Sequence, residues 1–163
     1  MIKYPLRNHK TIMLGAGGHA VSIRNLMEEN GQKIDFVVDP ILSEKSDSFW
    51  NEIAVMESDG HLSNLDPKAV DLVIGFGHSH KNSKRRELYN RLQSLGFYFP
   101  SIISKNAYIS ETAQIGMGCQ IMYRTYVGPN VVIKDDVIVN TGAIIEHDCF
   151  VNSHVHLAPA SCL

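Results

Sequence analysis

A histidine and a carboxylate stand next to each other near the C-terminal end of this 163-residue sequence, at His147 and Asp148. A neutral imidazole accepts protons near pH 7, and a neighbouring carboxylate, Asp148 or Glu146, can fix which ring nitrogen carries the hydrogen. The pair is therefore a candidate general base. A surface histidine with acidic neighbours would give the same pattern, so both interpretations stay open at this level.

Glycines that could hold a phosphate form a second motif. Residues 15–18 read Gly-Ala-Gly-Gly, follow a short apolar segment and precede a helical pattern. Such glycines let backbone N–H groups approach a phosphate at a helix N-terminus. Asp39 ends the next predicted strand, where an acidic residue can bind a ribose hydroxyl. A tight strand-to-helix turn without a ligand is the alternative interpretation.

Alternating strands and helices are predicted to position this glycine loop. Apolar segments and turn residues predict strands at 11–14, 34–38, 53–55, 71–75 and 97–99, and helices at 19–30 and 83–95. This order is typical of a parallel sheet covered by helices. Residues 1–100 are too few for a full two-half dinucleotide fold. We therefore expect a short Rossmann-like α/β domain over this range.

A repeat of six residues is predicted to position the histidine pair. Eleven aliphatic residues recur at this interval without a break, from Ile103 to Leu163. A period of six is neither the 3.6 of a helix nor the 2 of a strand, and it indicates a coiled parallel β-solenoid. Three hexads would close one coil of 18 residues. Residues 101–163 are therefore predicted to form an all-β parallel helix.

The repeat also predicts which side chains face inward. The residue two places before each periodic aliphatic is small or β-branched, as a narrow interior requires. Cys119 and Cys149 take such positions, so we interpret them as core fillers and not as disulfide partners. His147 lies two residues after inward Ile145 and is expected at a corner, facing out. Glycines and asparagines between the strands are expected to supply the turns.

Two further histidines, His154 and His156, flank Val155 on the outside of the predicted coil. Together with His147 they suggest a metal site. Nine residues, half of a coil, separate His147 from His156. The two therefore cannot share one face of one chain, although a neighbouring subunit could bring them together. Histidines without a defined second shell are weak evidence for a metal, and we predict none.

The bulk properties exclude several classes of protein. The net charge is −2 and the pI is near 6.4, which gives no reason to expect a nucleic-acid or membrane partner. No stretch reaches the length of a transmembrane helix, and the first residues lack the apolar core of a signal peptide. Three cysteines do not form a disulfide framework. We expect a cytoplasmic protein.

Three segments carry a family resemblance: the glycine loop at 15–20, the run at 84–89 with Leu-Gly-Phe at 95–97, and the motif at 140–149 with His-Val-His at 154–156. With these segments the chain resembles the bacterial sugar O-/N-acetyltransferases of the NeuD/PglD type, in the hexapeptide-repeat superfamily. The resemblance implies a nucleotide-sugar-binding domain followed by a left-handed parallel β-helix. It also implies a homotrimer with active sites between neighbouring prisms.

The resemblance further implies roles for individual residues. Acetyl-CoA would be the co-substrate, and a sialic acid or a nucleotide-linked amino sugar for surface glycans would be the acceptor. His147 would be the catalytic base and Asp148 would orient it. His156 would contact the acetyl group of acetyl-CoA, and Asn140 would lie near the acceptor sugar. The residues implied to hold the nucleotide are Gly15, Gly17, Gly18 and Asp39.

The chain also departs from the family. Asn152 and Ala160 stand where the family usually has glycine, and the segment at 77–82 is longer than in some members. Family members continue for several more coils, so we expect this chain to be truncated within the groove for coenzyme A. A nucleotide-sugar-binding protein without catalysis is therefore the alternative. A dehydrogenase is disfavoured, because the first domain is short and a solenoid has no role in hydride transfer.

Overall fold

The computed structural model describes residues 5–7, 9–42, 50, 52–77 and 84–163. They belong to two compact units, Arg7–Phe99 and a second one built on Pro100–Leu163, and each is described by itself. The segment at 78–82, and residue 83 of the predicted second helix, lie outside the described residues.

A parallel sheet forms the centre of the first unit. Its strands are β1 (Lys10–Leu14), β2 (Phe36–Val38), β3 (Ala54–Met56) and β4 (Val70–Ile74), in the order β3-β2-β1-β4. All three pairings are parallel. Every residue of β4 is buried, as expected for a parallel sheet that is covered on both faces.

Helices α1 (Gly18–Glu29) and α2 (Lys84–Ser94) complete this unit, together with a 3₁₀ helix at Asp59–Asn64. The buried residues of α1 recur at helical spacing; they are Ala20, Ile23, Leu26 and Met27. Gly31, with φ of 74°, ends the helix. The α/β architecture predicted from the sequence is therefore confirmed.

Two local predictions differ from the structure. The segment at 97–99 forms only a single parallel bridge, between Tyr98 and Asp71, and not a strand. Gly96 turns the chain just before it with φ of 89°, and Pro100 follows, so little extended chain remains to pair. The 3₁₀ helix lies in a segment predicted to be irregular. It begins where the Ser58 side chain accepts a hydrogen bond from the Gly60 N–H.

Short strands build the second unit into a parallel β-helix. Strands β5 to β14 are Ile102–Ile103, Tyr108–Ile109, Gln114–Ile115, Gln120–Ile121, Tyr126–Val127, Val132–Ile133, Ile138–Val139, Ile144–Ile145, Phe150–Val151 and His156–Leu157. They stack into three sheets, ordered β13-β10-β7, β14-β11-β8-β5 and β12-β9-β6. Paired residues are 18 apart, as Ile133 is from Val151. The predicted coil of three hexads is confirmed.

The interior of the β-helix is filled by the residues that the repeat predicted. Ten of the eleven periodic aliphatics and most of the small residues before them form one apolar cluster, fully buried in the middle coils and half-buried in the outer ones. The last periodic aliphatic, Leu163, is 49% exposed. Cys119 is buried there, and its thiol donates to the carbonyl of Lys134 at 3.0 Å. Burial raises the pKa of this thiol to about 12, so it fills space and is not a nucleophile.

The corners of the β-helix follow a rule of their own. Every sixth residue from 118 to 160 has a left-handed backbone, with φ between 54° and 71°. These residues are Gly118, Arg124, Asn130, Asp136, Gly142, Asp148, His154 and Ala160. Only two are glycine, although a left-handed backbone costs other residues about 1–2 kcal/mol. Residues 18 apart occupy the same corner of successive coils, one above the other.

Candidate active site

His147 and Asp148 meet at the corner that follows β12. The His147 Nδ1 lies 2.7 Å from the Asp148 Oδ2. Their side chains are 71% and 64% exposed, so the surrounding protein packs little against either one. Asp148 takes its place through a left-handed backbone, with φ of 60°. The structure thus brings together the two residues predicted to act as a base and its orienting acid.

Charge decides which nitrogen of His147 can accept a proton. The pKa of Asp148 is lowered, first by a hydrogen bond from Asn130 and second by the bond with His147, so the carboxylate is ionised near neutral pH. An ionised carboxylate only accepts hydrogen bonds, so Nδ1 of His147 is the donor in this contact. In the neutral ring Nε2 is then the acceptor. This tautomer is the one that a general base requires.

Gly128 lies beneath this corner, one coil below. A Cβ added to Gly128 would lie 2.9 Å from the backbone nitrogen of His147 and 3.1 Å from the carbonyl carbon of Glu146. No side chain fits at that distance. Glycine at 128 therefore lets the His147 backbone approach the coil below, which the turn role expected for glycines did not predict.

His156 meets Asn140 on another part of the β-helix. The Asn140 Nδ2 lies 3.1 Å from the His156 Nε2. The Asn140 Oδ1 accepts a hydrogen bond from the Thr141 N–H, which leaves the amide nitrogen as the group that donates to the imidazole. The two residues that the resemblance placed near the acetyl group and the acceptor sugar are therefore in direct contact.

The two pairs lie on different sheets of the β-helix. His147 follows β12, whereas His156 begins β14. These strands belong to the sheets β12-β9-β6 and β14-β11-β8-β5. The expectation that His147 and His156 cannot share one face of a single chain agrees with this arrangement.

A cleft of about 720 Å³ opens in the first unit at the carboxyl ends of its strands. Its walls include Gly15 after β1, Asp39 after β2, Ser58 after β3, Phe76 after β4 and Lys84 at the start of α2. Ligands of open α/β sheets bind at this edge. The cleft is therefore the candidate nucleotide site.

Asp39 holds two loops of the cleft together. Its Oδ2 accepts a hydrogen bond from the Ala16 N–H at 2.8 Å, and its Oδ1 accepts from the N–H groups of Ile41 and Leu42. A carboxylate offers about four acceptor sites, so these three bonds leave room for one more. The ribose contact stays a prediction, and the structure adds the role of loop anchor.

The glycine loop has two distinct parts. Gly15 has φ of 97°, and a Cβ there would lie 3.0 Å from the Phe76 ring. Gly17 is the N-cap of α1 and Gly18 its first residue, and both have open space beside the Cα. The first turn of α1 carries no acidic residue, so nothing on the helix opposes an anion at its N-terminus.

The described residues contain neither a cluster of metal-ligating side chains nor a helix that could cross a membrane. Within that part of the chain, no three or more His, Cys, Asp or Glu side chains come close enough to hold a metal ion. None of the helices described is long and apolar enough to cross a membrane.

Comparison with known proteins decides the family. The profile of the PglD N-terminal domain matches residues 10–92. The acetyltransferase domain of PglB from Neisseria gonorrhoeae, solved in complex with acetyl coenzyme A, is 30% identical, with a TM-score of 0.82 over 96% of this chain and 73% of that chain. This chain belongs to the PglD-type sugar acetyltransferases.

Two further structures widen this comparison. PerB from Caulobacter crescentus, solved with CoA and GDP-perosamine, is 25% identical, with a TM-score of 0.81 over 96% of this chain and 72% of that chain. WeeI from Acinetobacter baumannii is 20% identical, with a TM-score of 0.78 over 95% of this chain and 72% of that chain, and supports the fold alone. The predicted fold class, an α/β unit followed by a parallel β-helix, is confirmed for this PglD-type protein.

Proposed function

We propose that this chain transfers an acetyl group from acetyl-CoA to the amine of a nucleotide-linked amino sugar, with His147 as the general base. The single observation that carries the proposal is the His147–Asp148 contact. It leaves the His147 Nε2 as a proton acceptor on an exposed corner. The related PglB was solved with acetyl coenzyme A and the related PerB with CoA and GDP-perosamine.

The reaction requires only a general base and correct positioning of the substrates from the protein. An amine that attacks the thioester carbonyl forms a C–N bond and must lose a proton, while the C–S bond breaks and the sulfur leaves with its electron pair. His147 accepts the amine proton at Nε2, and ionised Asp148 stabilises the imidazolium that results. The sulfur then takes up a proton as the CoA thiol. Positioning of the two substrates next to each other supplies most of the remaining rate acceleration.

The other site residues take supporting roles in this proposal. His156 contacts the acetyl group, held in orientation by the amide of Asn140 at 3.1 Å. The cleft beside Gly15 and Asp39 receives the nucleotide. His147 and His156 lie on different sheets, so we further propose that a neighbouring copy in a homotrimer brings the two histidines to one active site.

Release of CoA thiol provides the test. We expect saturable thiol release with acetyl-CoA and UDP- or GDP-linked amino sugars, and little with sialic acid. His147→Ala is expected to lose about 10²- to 10⁴-fold of kcat, with unchanged binding of the nucleotide sugar by calorimetry. Because His147 is exposed, this variant is expected to keep its thermal stability to within about 0.5 kcal/mol.

Three outcomes would contradict parts of the proposal. Full turnover by His147→Ala would exclude the base. Preference for a sialic acid hydroxyl would replace the amine acceptor. Binding of a nucleotide sugar without any binding of acetyl-CoA would favour the non-catalytic binding protein.

A further inference from the structure

Asn130 lies directly below Asp148, one coil earlier at the same corner. The Asn130 Nδ2 donates to the Asp148 Oδ1 at 3.0 Å, while the Asp148 Oδ2 accepts from the His147 Nδ1 at 2.7 Å. The two oxygens of one carboxylate are thus bonded to two different residues. This arrangement fixes the rotation of the carboxylate as well as its position.

The backbone of Asn130 is itself anchored to the coil below it. Its N–H donates to the Oγ1 of Thr112 at 2.9 Å, 18 residues earlier. The Thr112 hydroxyl also lies 3.1 Å from the Ser110 Oγ. A column of three corner residues, Thr112, Asn130 and Asp148, therefore connects the histidine to two lower coils.

We infer that Asn130 is a positioning residue for His147: it holds the Asp148 carboxylate so that Oδ2 faces the imidazole and keeps the proton on Nδ1. The need for such a residue comes from exposure. His147 and Asp148 are 71% and 64% exposed, so packing does not lock their rotamers and water competes for each hydrogen bond. This inference rests on the proposed role of His147.

Glycine substitution isolates the side chain of Asn130 from its backbone. Asn130 has φ of 59°, a conformation that glycine adopts without steric strain, so Asn130→Gly removes the amide without straining the corner. We expect kcat to fall about 5- to 20-fold, which is less than for the loss of a buried hydrogen bond to a charged group because Asp148 is exposed to water. The KM values for both substrates are expected to change by less than about twofold, because Asn130 acts through Asp148.

A second variant keeps the inference testable if glycine loosens the corner. Asn130→Asp retains a residue that tolerates a left-handed backbone, but its carboxylate can only accept hydrogen bonds and repels Asp148. We expect a larger loss of kcat than with glycine. Arg124→Gly is the matched control, because Arg124 has φ of 58° at another corner, and it should leave kcat unchanged.

The decisive readout does not require turnover. In protein labelled with ¹⁵N histidine, the shifts of His147 report which ring nitrogen carries the proton. We expect one tautomer in the wild type and in Arg124→Gly, and a mixture of both in Asn130→Gly. Unchanged His147 shifts in Asn130→Gly would overturn the inference, whatever happens to kcat. A mixture of tautomers together with full activity in His147→Ala would support the inference and reject the base.

Discussion

Two histidine–carboxylate contacts occur at corners of the same β-helix, and they differ in what surrounds them. His147 and Asp148 are neighbours in sequence and are largely exposed. His154 and Asp136 are 18 residues apart, so their contact of 2.9 Å joins two successive coils. The Asp136 side chain is fully buried and that of His154 is 18% exposed. The same pair of groups is open to a substrate at one corner and enclosed at the other.

Because the residue types are the same, the difference in exposure is what separates the pair proposed to be catalytic from the pair that joins two coils. Both pairs use residues with left-handed backbones, and both bond through the imidazole Nδ1. Only His147 has its imidazole largely in solvent, where an amine can reach it. His154 fastens one coil to the next. We interpret the first pair as catalytic, in line with the proposed function, and the second as structural.

Removal of each carboxylate in turn should give the largest difference between the two pairs, because one variant should lose activity and the other stability. Asp148→Gly and Asp136→Gly are matched, because both positions have a left-handed backbone that glycine adopts without strain. We expect Asp148→Gly to lose about 10- to 100-fold of kcat, since its histidine loses the group that fixes its tautomer. Asp136→Gly should lose about 2 kcal/mol of unfolding free energy, because a buried hydrogen bond disappears and a void remains.

Kinetics at low temperature and thermal melts measure these two effects. Asp136→Gly should keep kcat to within about threefold under conditions where it stays folded. If instead Asp136→Gly loses as much activity as Asp148→Gly while remaining folded, the assignment of the second pair as structural is wrong.

Two glycines that lie beneath corners of the β-helix provide a second pair of variants, with effects of intermediate size. A Cβ at Gly128 would lie 2.9 Å from the backbone nitrogen of His147, and one at Gly116 would lie 2.5 Å from the Asp135 Oδ1 and 2.7 Å from the Lys134 carbonyl carbon. We expect Gly128→Ala and Gly116→Ala each to cost about 1–3 kcal/mol of stability. Only Gly128→Ala should also reduce kcat, by about tenfold, because it displaces the base.

Circular dichroism melts and kinetics below the transition test this pair of variants. Equal activity losses in the two would mean that general loosening of the β-helix, and not displacement of His147, is responsible.

The smallest expected effect is on the pH dependence of the unfolding free energy, compared between wild type and Asp148→Gly. The pKa of Asp148 is lowered from its usual value of 3.8 by the Asn130 bond and then the His147 bond. A carboxyl with a lower pKa in the folded state stabilises the fold above its unfolded pKa, and this contribution is lost as the pH falls through the folded pKa. The difference between wild type and Asp148→Gly should therefore be constant above about pH 5 and shrink below it.

Denaturant titrations between acidic and neutral pH measure that difference. Both side chains face water, so we expect a small change. A difference that grew as the pH fell from about 5 through the range where carboxyls titrate would show that the carboxyl is stabilised in its protonated form, contrary to the contact with His147.

The sequence predicted the parts of this molecule that rest on periodicity. Inward positions of the β-helix follow from the spacing of aliphatic residues, because burial of apolar surface dominates there. The strands β1, β2 and β4 were found from apolar runs between turn residues. The strand predicted at 97–99 from the same kind of run is absent, because the backbone turn at Gly96 outweighs the pattern of Phe97 and Phe99.

The site was predictable only where the residues are adjacent in sequence. His147 and Asp148 could be seen as a pair, but the bond from Asn130 to Asp148 depends on stacking between coils. The only trace of these contacts in the sequence is the spacing of 18 residues, one coil, between 130 and 148 and between 136 and 154. This spacing predicts a contact only for residues at corners. The left-handed corners at Arg124, Asp136 and His154 have no glycine that would identify them as corners in the sequence. Of the three hydrogen bonds that Asp39 accepts, those from Ile41 and Leu42 are local and typical of a turn begun by Asp-Pro, whereas the bond from Ala16 spans 23 residues and has no signature in the sequence.

The stacking of one coil on the next also limits how such a chain can change in length. The repeat in the sequence is six residues, but the contacts Asn130–Asp148 and Asp136–His154 both span 18. An insertion of one hexad between 130 and 136 would move every later residue to the next face and separate Asn130 from Asp148. Outside both spans an added hexad keeps these two contacts, but it moves all later residues by one face relative to the coils before it, whereas an added coil of 18 residues also leaves each later residue on its own face. Whole coils are thus the increments that preserve both the contacts and the faces of this architecture.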